Sequence, residues 1–111
     1  MNRLDGQIKG LIDDLTVQDD GNVSASVLFN NDFYGFSGHF PGKPVLPGIC
    51  IIRTAMVICG IEDFSVIKTA KFFAPVVPGQ KLEFCIRKTG YDMKCNVTCG
   101  QEKTAKLEIL L

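Results

Sequence analysis

The sequence predicts an α+β fold: an antiparallel sheet of about six strands around one central apolar helix, in a single domain over residues 1–111. Two observations carry that reading. Four stretches alternate apolar and polar residues with the period of two that marks half-buried strands, and short turns join them. One long apolar run, Gly48 to Cys59, lies between Pro47 and Gly60, residue types that open and close helices.

The elements follow in order. Gln7 to Val17 mixes apolar and polar residues and reads as the first arm of a hairpin that turns at Asp20-Gly21. In the return arm Val23, Ala25, Val27 and Phe29 alternate with Ser24 and Ser26. A loop rich in Gly and Pro runs from Asn30 to Pro47. The run that follows is apolar almost all round, so its helix should be buried rather than amphipathic. Its β-branched residues make a strand the rival reading; length and the flanking Pro and Gly favour the helix. Val66 to Val76 is largely apolar, and Pro78-Gly79 marks a turn. Leu82, Phe84 and Ile86 then alternate with polar neighbours. Met93, Cys95, Val97 and Cys99 repeat the pattern after Thr89-Gly90, and Ala105, Leu107 and Ile109 close it.

Composition narrows the function. Twelve basic and twelve acidic residues cancel, without the basic excess of a nucleic-acid binder. The longest apolar stretch is broken by Arg53, short of the roughly 20 residues that cross a membrane. The opening MNRLDGQIKG lacks the apolar core of a secretory signal. Five cysteines without CxxC pairs read as reduced, mostly buried thiols, so a cytoplasmic setting is expected. The single histidine excludes a multi-histidine metal cluster, and no metal or cofactor is expected. His39 is the candidate for proton chemistry near neutral pH; the plainer reading is a loop histidine capping a turn. Cys50 stands in the first helical turn. The helix dipole would activate a thiol there, and a small core residue is the alternative.

Residues 36 to 53 read FSGHFPGKPVLPGICIIR. His39-Phe40-Pro41-Gly42, then Pro44-Val45-Leu46-Pro47-Gly48 leading into an apolar helix, resembles the signature of the 3-hydroxyacyl-[acyl-carrier-protein] dehydratases. Ala70-Lys71-Phe72 with Ala74-Pro75-Val76-Val77-Pro78-Gly79 resembles that family's strand after the helix. The resemblance covers roughly residues 30 to 90, and it implies the hot-dog fold, in which a sheet wraps a central helix. It implies dehydration of 3-hydroxyacyl thioesters of acyl carrier protein or coenzyme A to trans-2-enoyl products. His39 would be the base, the Gly48 amide would bind the thioester carbonyl, and the Val45 carbonyl would orient the imidazole. Phe40 would contact substrate. The resemblance further implies an acyl tunnel at a dimer interface, with each site shared between two chains. Homodimer, higher oligomer and heterodimer with a related chain all fit. The extension many members carry before the first strand is not expected here.

The chemistry agrees with these residue types. Dehydration needs a base for the α-proton, a polariser for the carbonyl and an acid for the departing hydroxyl. The N–H groups at a helix start suit a developing enolate oxygen. One position departs from the pattern. The family places Glu or Asp on the central helix fourteen positions after the histidine, where this sequence has Arg53, and no acidic residue lies between Asp32 and Glu62. Arginine keeps its proton in proteins, so it is a poor acid toward a leaving hydroxide. Arg53 can instead stabilise an enolate, hold a water, or pair with a carboxylate or phosphate, including a structural pair across a subunit interface. Two other readings follow: a non-catalytic acyl-binding or heterodimer partner subunit, and a hot-dog thioesterase. Phe29, Phe33, Phe36, Phe40, Phe72, Phe73 and Phe84 read mainly as core, and some of them could line an acyl channel. Lys43, Lys68, Lys71, Arg87 and Lys88 read as a solvated surface that could suit an acidic carrier protein.

Overall fold

The computed structural model describes residues 3–30, 33, 36 and 45–111. Its elements are helix α1 (Arg3–Leu11), strands β1 (Ile12–Val17) and β2 (Val23–Phe29), helix α2 (Gly48–Ile58), and strands β3 (Val66–Phe72), β4 (Gln80–Thr89), β5 (Asp92–Cys99) and β6 (Glu102–Leu110). The strands form one sheet in the order β1-β2-β4-β5-β6-β3. All neighbouring pairs are antiparallel.

The alternation in the sequence becomes a one-sided sheet. Ile86 lies opposite Cys95, which lies opposite Leu107; Phe84, Val97 and Ala105 form the next row. These rows and Ala25, Val27 and Phe29 of β2 join the buried face of α2 in one core. A slip of one residue would turn every one of these side chains outward, so burial fixes the register. One irregularity matters for the site. Val97 pairs with Ala105 but Thr98 with Lys103, so Thr104 is an extra residue in β6. Its carbonyl accepts the N–H of Phe73, just past the end of β3, at 2.8 Å.

Helix α2 is as expected. Seven of its eleven residues are buried, and it starts after an extended Pro47 without a side-chain cap. It ends in a Schellman motif: Gly60 N–H donates to Val57 and Ile61 N–H to Met56. Gly60 has φ +69, a left-handed conformation costly for any residue with a Cβ. Among the described residues, no helix is long and apolar enough to cross a membrane.

Three expectations change. A helix, α1, precedes the first strand, where the sequence reading expected only the hairpin arm. Leu4, Ile8 and Leu11 share one face at helical spacing, and Ile8 is fully buried where α1 packs on α2 and β2. Gly6 and Gly10, poor helix formers, hide this pattern. Ser26 is buried rather than turned to solvent, because its hydroxyl donates to Asp14 Oδ2 of β1 at 3.2 Å. Strand β3 stops at Phe72, short of Val76, and among the described residues it pairs on one side only, with β6. Its residues are largely exposed, including Val66, Ile67 and Phe72.

Candidate active site

The start of α2 borders an apolar recess of about 270 Å³. Val45, Leu46, Gly48 and Ile51 form one wall, and residues 72–76 form the other. Leu46 N–H donates to the Val76 carbonyl at 2.8 Å, which ties the segment before α2 to the connection after β3. None of the nine residues lining the recess is titratable. Pro47 offers no side-chain cap, and in the first turn of α2 the Cys50 N–H donates to the Pro47 carbonyl at 2.9 Å. The positive end of the α2 dipole therefore meets an apolar recess, a setting that favours a developing oxyanion.

Gly48 is required here by contact rather than by its backbone angle. A Cβ at this position would lie 2.7 Å from Phe72 Cζ and 2.8 Å from Phe72 Cε2. The ring edge of Phe72 therefore rests on the Cα of the glycine that opens the helix. Phe29, Phe33, Phe36 and Phe84 are core residues as expected, but Phe72 and Phe73 are 45% and 54% exposed. These two are thus not core but line the recess, the other place the sequence reading left open for them: β3 is an edge, and nothing among the described residues covers their outer faces.

Arg53 lies elsewhere. It is absent from the recess and lines a separate cleft with Asp5, Lys9, Val57, Gly60, Ile61 and Glu62. Its Nε donates to Asp5 Oδ1 at 3.1 Å, and its Nη2 pairs with Asp5 Oδ2. Nη1 donates to the Glu62 carbonyl at 3.1 Å and approaches Met56 Sδ at 3.8 Å. The pairing across a subunit interface considered for Arg53 is thus met inside the chain, by a residue of α1. A planar guanidinium gripping a carboxylate with two nitrogens is the strong form of such a pair. Asp5 is the residue that the sequence reading missed; the spacing of Leu4, Ile8 and Leu11 was the available signal.

Val45 and Gly48 both line the recess. His39, Phe40 and Lys43 lie outside the described residues. Cys50 is buried, and burial pushes its thiol above the ordinary cysteine value. That disfavours the thiolate a nucleophile would need. Cys95 is also buried and its thiol is likewise raised, while Cys85 faces solvent.

The comparisons with known proteins agree with this architecture. The family model for the ApeI-like dehydratases matches residues 15–108. A 3-hydroxyacyl-[acyl-carrier-protein] dehydratase, FabZ, of Wolbachia pipientis is 37% identical over 77% of this chain and 70% of that protein. The FabZ of Rhizobium johnstonii is 42% identical, but the match spans 48% of this chain and less than half of that protein, 42%. The dehydratase heterocomplex ApeI:P from Xenorhabdus doucetiae superposes with a TM-score of 0.82 at 22% identity, covering 89% of this chain and 94% of the other. The PaaI protein of Escherichia coli, from the phenylacetic acid degradation operon, superposes with a TM-score of 0.66 at 19% identity, over 96% and 86% of the two chains. At these identities the two structures speak for the hot-dog fold. By the family model and the FabZ relatives together, the chain belongs to the FabZ-like 3-hydroxyacyl-[acyl-carrier-protein] dehydratase family and matches its ApeI-like dehydratases.

Proposed function

We propose that the chain acts on 3-hydroxyacyl thioesters of acyl carrier protein or coenzyme A as the acid-less subunit of a mixed hot-dog dimer. The observation that carries this reading is the Asp5–Arg53 pair. The helix position that holds a carboxylic acid in the family is occupied by a guanidinium already committed to Asp5 and the Glu62 carbonyl. In this reading His39 takes the proton from C2 of the substrate. That electron pair forms the C2–C3 double bond, and the hydroxyl leaves C3 with a proton as water. The Gly48 N–H holds the enolate oxygen between the two events. The acid that protonates the hydroxyl comes from the neighbouring chain.

Two features support a second chain. Strand β3 has a free edge with exposed Val66 and Ile67, which an added strand would cover. The structural neighbour from Xenorhabdus doucetiae is itself described as a heterocomplex. A cytoplasmic setting suits the five free thiols.

The test is a dehydration assay on a 3-hydroxyacyl thioester, following enoyl absorbance. The chain alone should be inactive. Mixing it with a related hot-dog chain that carries Glu or Asp at the helix position should give turnover, and His39→Ala should abolish it. Full turnover by the chain alone would show that no partner acid is needed.

A further inference from the structure

We infer that Phe72 is a specificity-determining residue that restricts the site to acyl thioesters unbranched next to the carbonyl. This rests on the proposed function, because it concerns the same recess. The Phe72 ring edge occupies the space that a side chain at Gly48 would fill, with Cζ, Cε2 and Cε1 at 2.7, 2.8 and 3.2 Å from that position. An acyl group whose carbonyl reaches the Gly48 N–H must therefore carry its α-carbon past the ring edge.

The surrounding walls have little freedom to yield. Ile51, one turn further along α2, is 2% exposed. The Leu46–Val76 hydrogen bond closes the recess on one side, and Phe73 N–H is anchored to the Thr104 carbonyl in the β6 bulge. Phe72 itself lies opposite Ala105 in the sheet register, so its backbone is fixed. Its ring, 45% exposed, is the adjustable part of the contact with Gly48. A straight chain needs only a small rotation of the ring. A methyl branch at the α-carbon needs the ring to leave.

The experiment compares butyryl-CoA with isobutyryl-CoA, isomers of equal atom count of which the second is wider beside the carbonyl and one carbon shorter, with propionyl-CoA as the unbranched control of that shorter length. Binding of each is measured by titration calorimetry to wild type, Phe72→Leu and Phe72→Ala. Wild type should prefer butyryl-CoA by about tenfold, a usual effect of one misplaced methyl group in an apolar pocket. Phe72→Ala should reduce the preference to less than about twofold, with Phe72→Leu between them. A second measurement is independent of ligand. Gly48→Ala should lower Tm in the wild-type background, because the new methyl meets the ring, and should cost much less in Phe72→Ala. Preference for butyryl-CoA that survives in Phe72→Ala, or equal Tm losses in both backgrounds, would overturn the role of Phe72 while leaving thioester binding intact. Binding of neither ester, and of neither acyl group carried on acyl carrier protein, by any of the three proteins would remove the thioester reading, and the role of Phe72 with it.

Discussion

Asp5 and Arg53, 48 residues apart, form a two-pronged ion pair that joins α1 to the central helix α2. Their side chains are 11% and 19% exposed, so each group has surrendered most of its water. A charge in such a place is costly when alone and tolerable when paired. Removing one partner should therefore hurt more than removing both. Asp5→Ala is expected to cost about 2–4 kcal/mol in urea unfolding, the lower part of the range reflecting the residual exposure. Asp5→Ala with Arg53→Met should recover most of that loss. If the double variant is no more stable than the single, the pair is not what holds α1 on α2.

How much of this was legible in the sequence depends on where each residue finds its partners. Leu82, Phe84 and Ile86 announce a strand because their burial repeats along their own strand, and the structure keeps that pattern. Pro47 and Gly60 bound α2 by local backbone rules, and they bound it here. Asp5 was not legible as the partner of Arg53, since nothing local marks a pair between the start of one helix and the middle of another. Whether Phe72 belongs to the core or to a channel wall was not legible for a related reason. An aromatic residue in an apolar run looks like core, and its exposure follows from β3 being an edge, a property of sheet order. Gly48 was singled out for its amide, yet its contact with Phe72 supplies a second, steric reason for glycine.

The free edge of β3 leads to a prediction about assembly. Placing a charge on an exposed edge opposes strand addition without disturbing the core. Ile67→Lys is expected to halve the mass found by light scattering if that edge joins two copies, with far-UV circular dichroism unchanged. An unchanged mass would move the interface to another face.

The five thiols should react in an order set by burial. Cys85 faces solvent, Cys59 and Cys99 are partly covered, and Cys50 and Cys95 are buried. Burial raises the thiols of Cys50, Cys59 and Cys95, so fewer thiolates are available there at neutral pH. Pulsed alkylation read by mass spectrometry should label Cys85 first, and Cys95 only under unfolding conditions. Early labelling of Cys50 would reopen its reading as a nucleophile.

Acid should expose the contribution of the Lys68 cluster. Lys68 Nζ lies 3.3 Å from Glu108 Oε2 across β3 and β6, and its hydrogen bond holds the Glu108 carboxyl below its usual range. A carboxyl depressed in the folded state stabilises fully above its unfolded value, about 4.3, and loses that effect as pH falls through the folded one. Lys68→Met should therefore lower Tm slightly near neutral pH and make no difference in strong acid. A Tm gap that widens on acidification would contradict the assignment.

By the resemblance to the family, position 53 is where its acid would stand, and placing a carboxyl there is expected to require two changes. Arg53→Glu alone would set a carboxylate against Asp5, about where the guanidinium now bridges the two helices. Like charges in a poorly hydrated contact repel, so this variant should lose stability and gain no dehydration activity. Replacing Asp5 as well, as Asp5→Asn with Arg53→Glu, leaves an amide that can donate to the new carboxyl. The double variant should recover the wild-type Tm and dehydrate a 3-hydroxyacyl thioester without a partner chain. Activity in Arg53→Glu alone would mean that Asp5 leaves the acid position free. A stable but inactive double variant would mean that another part of the family's machinery is missing from this chain.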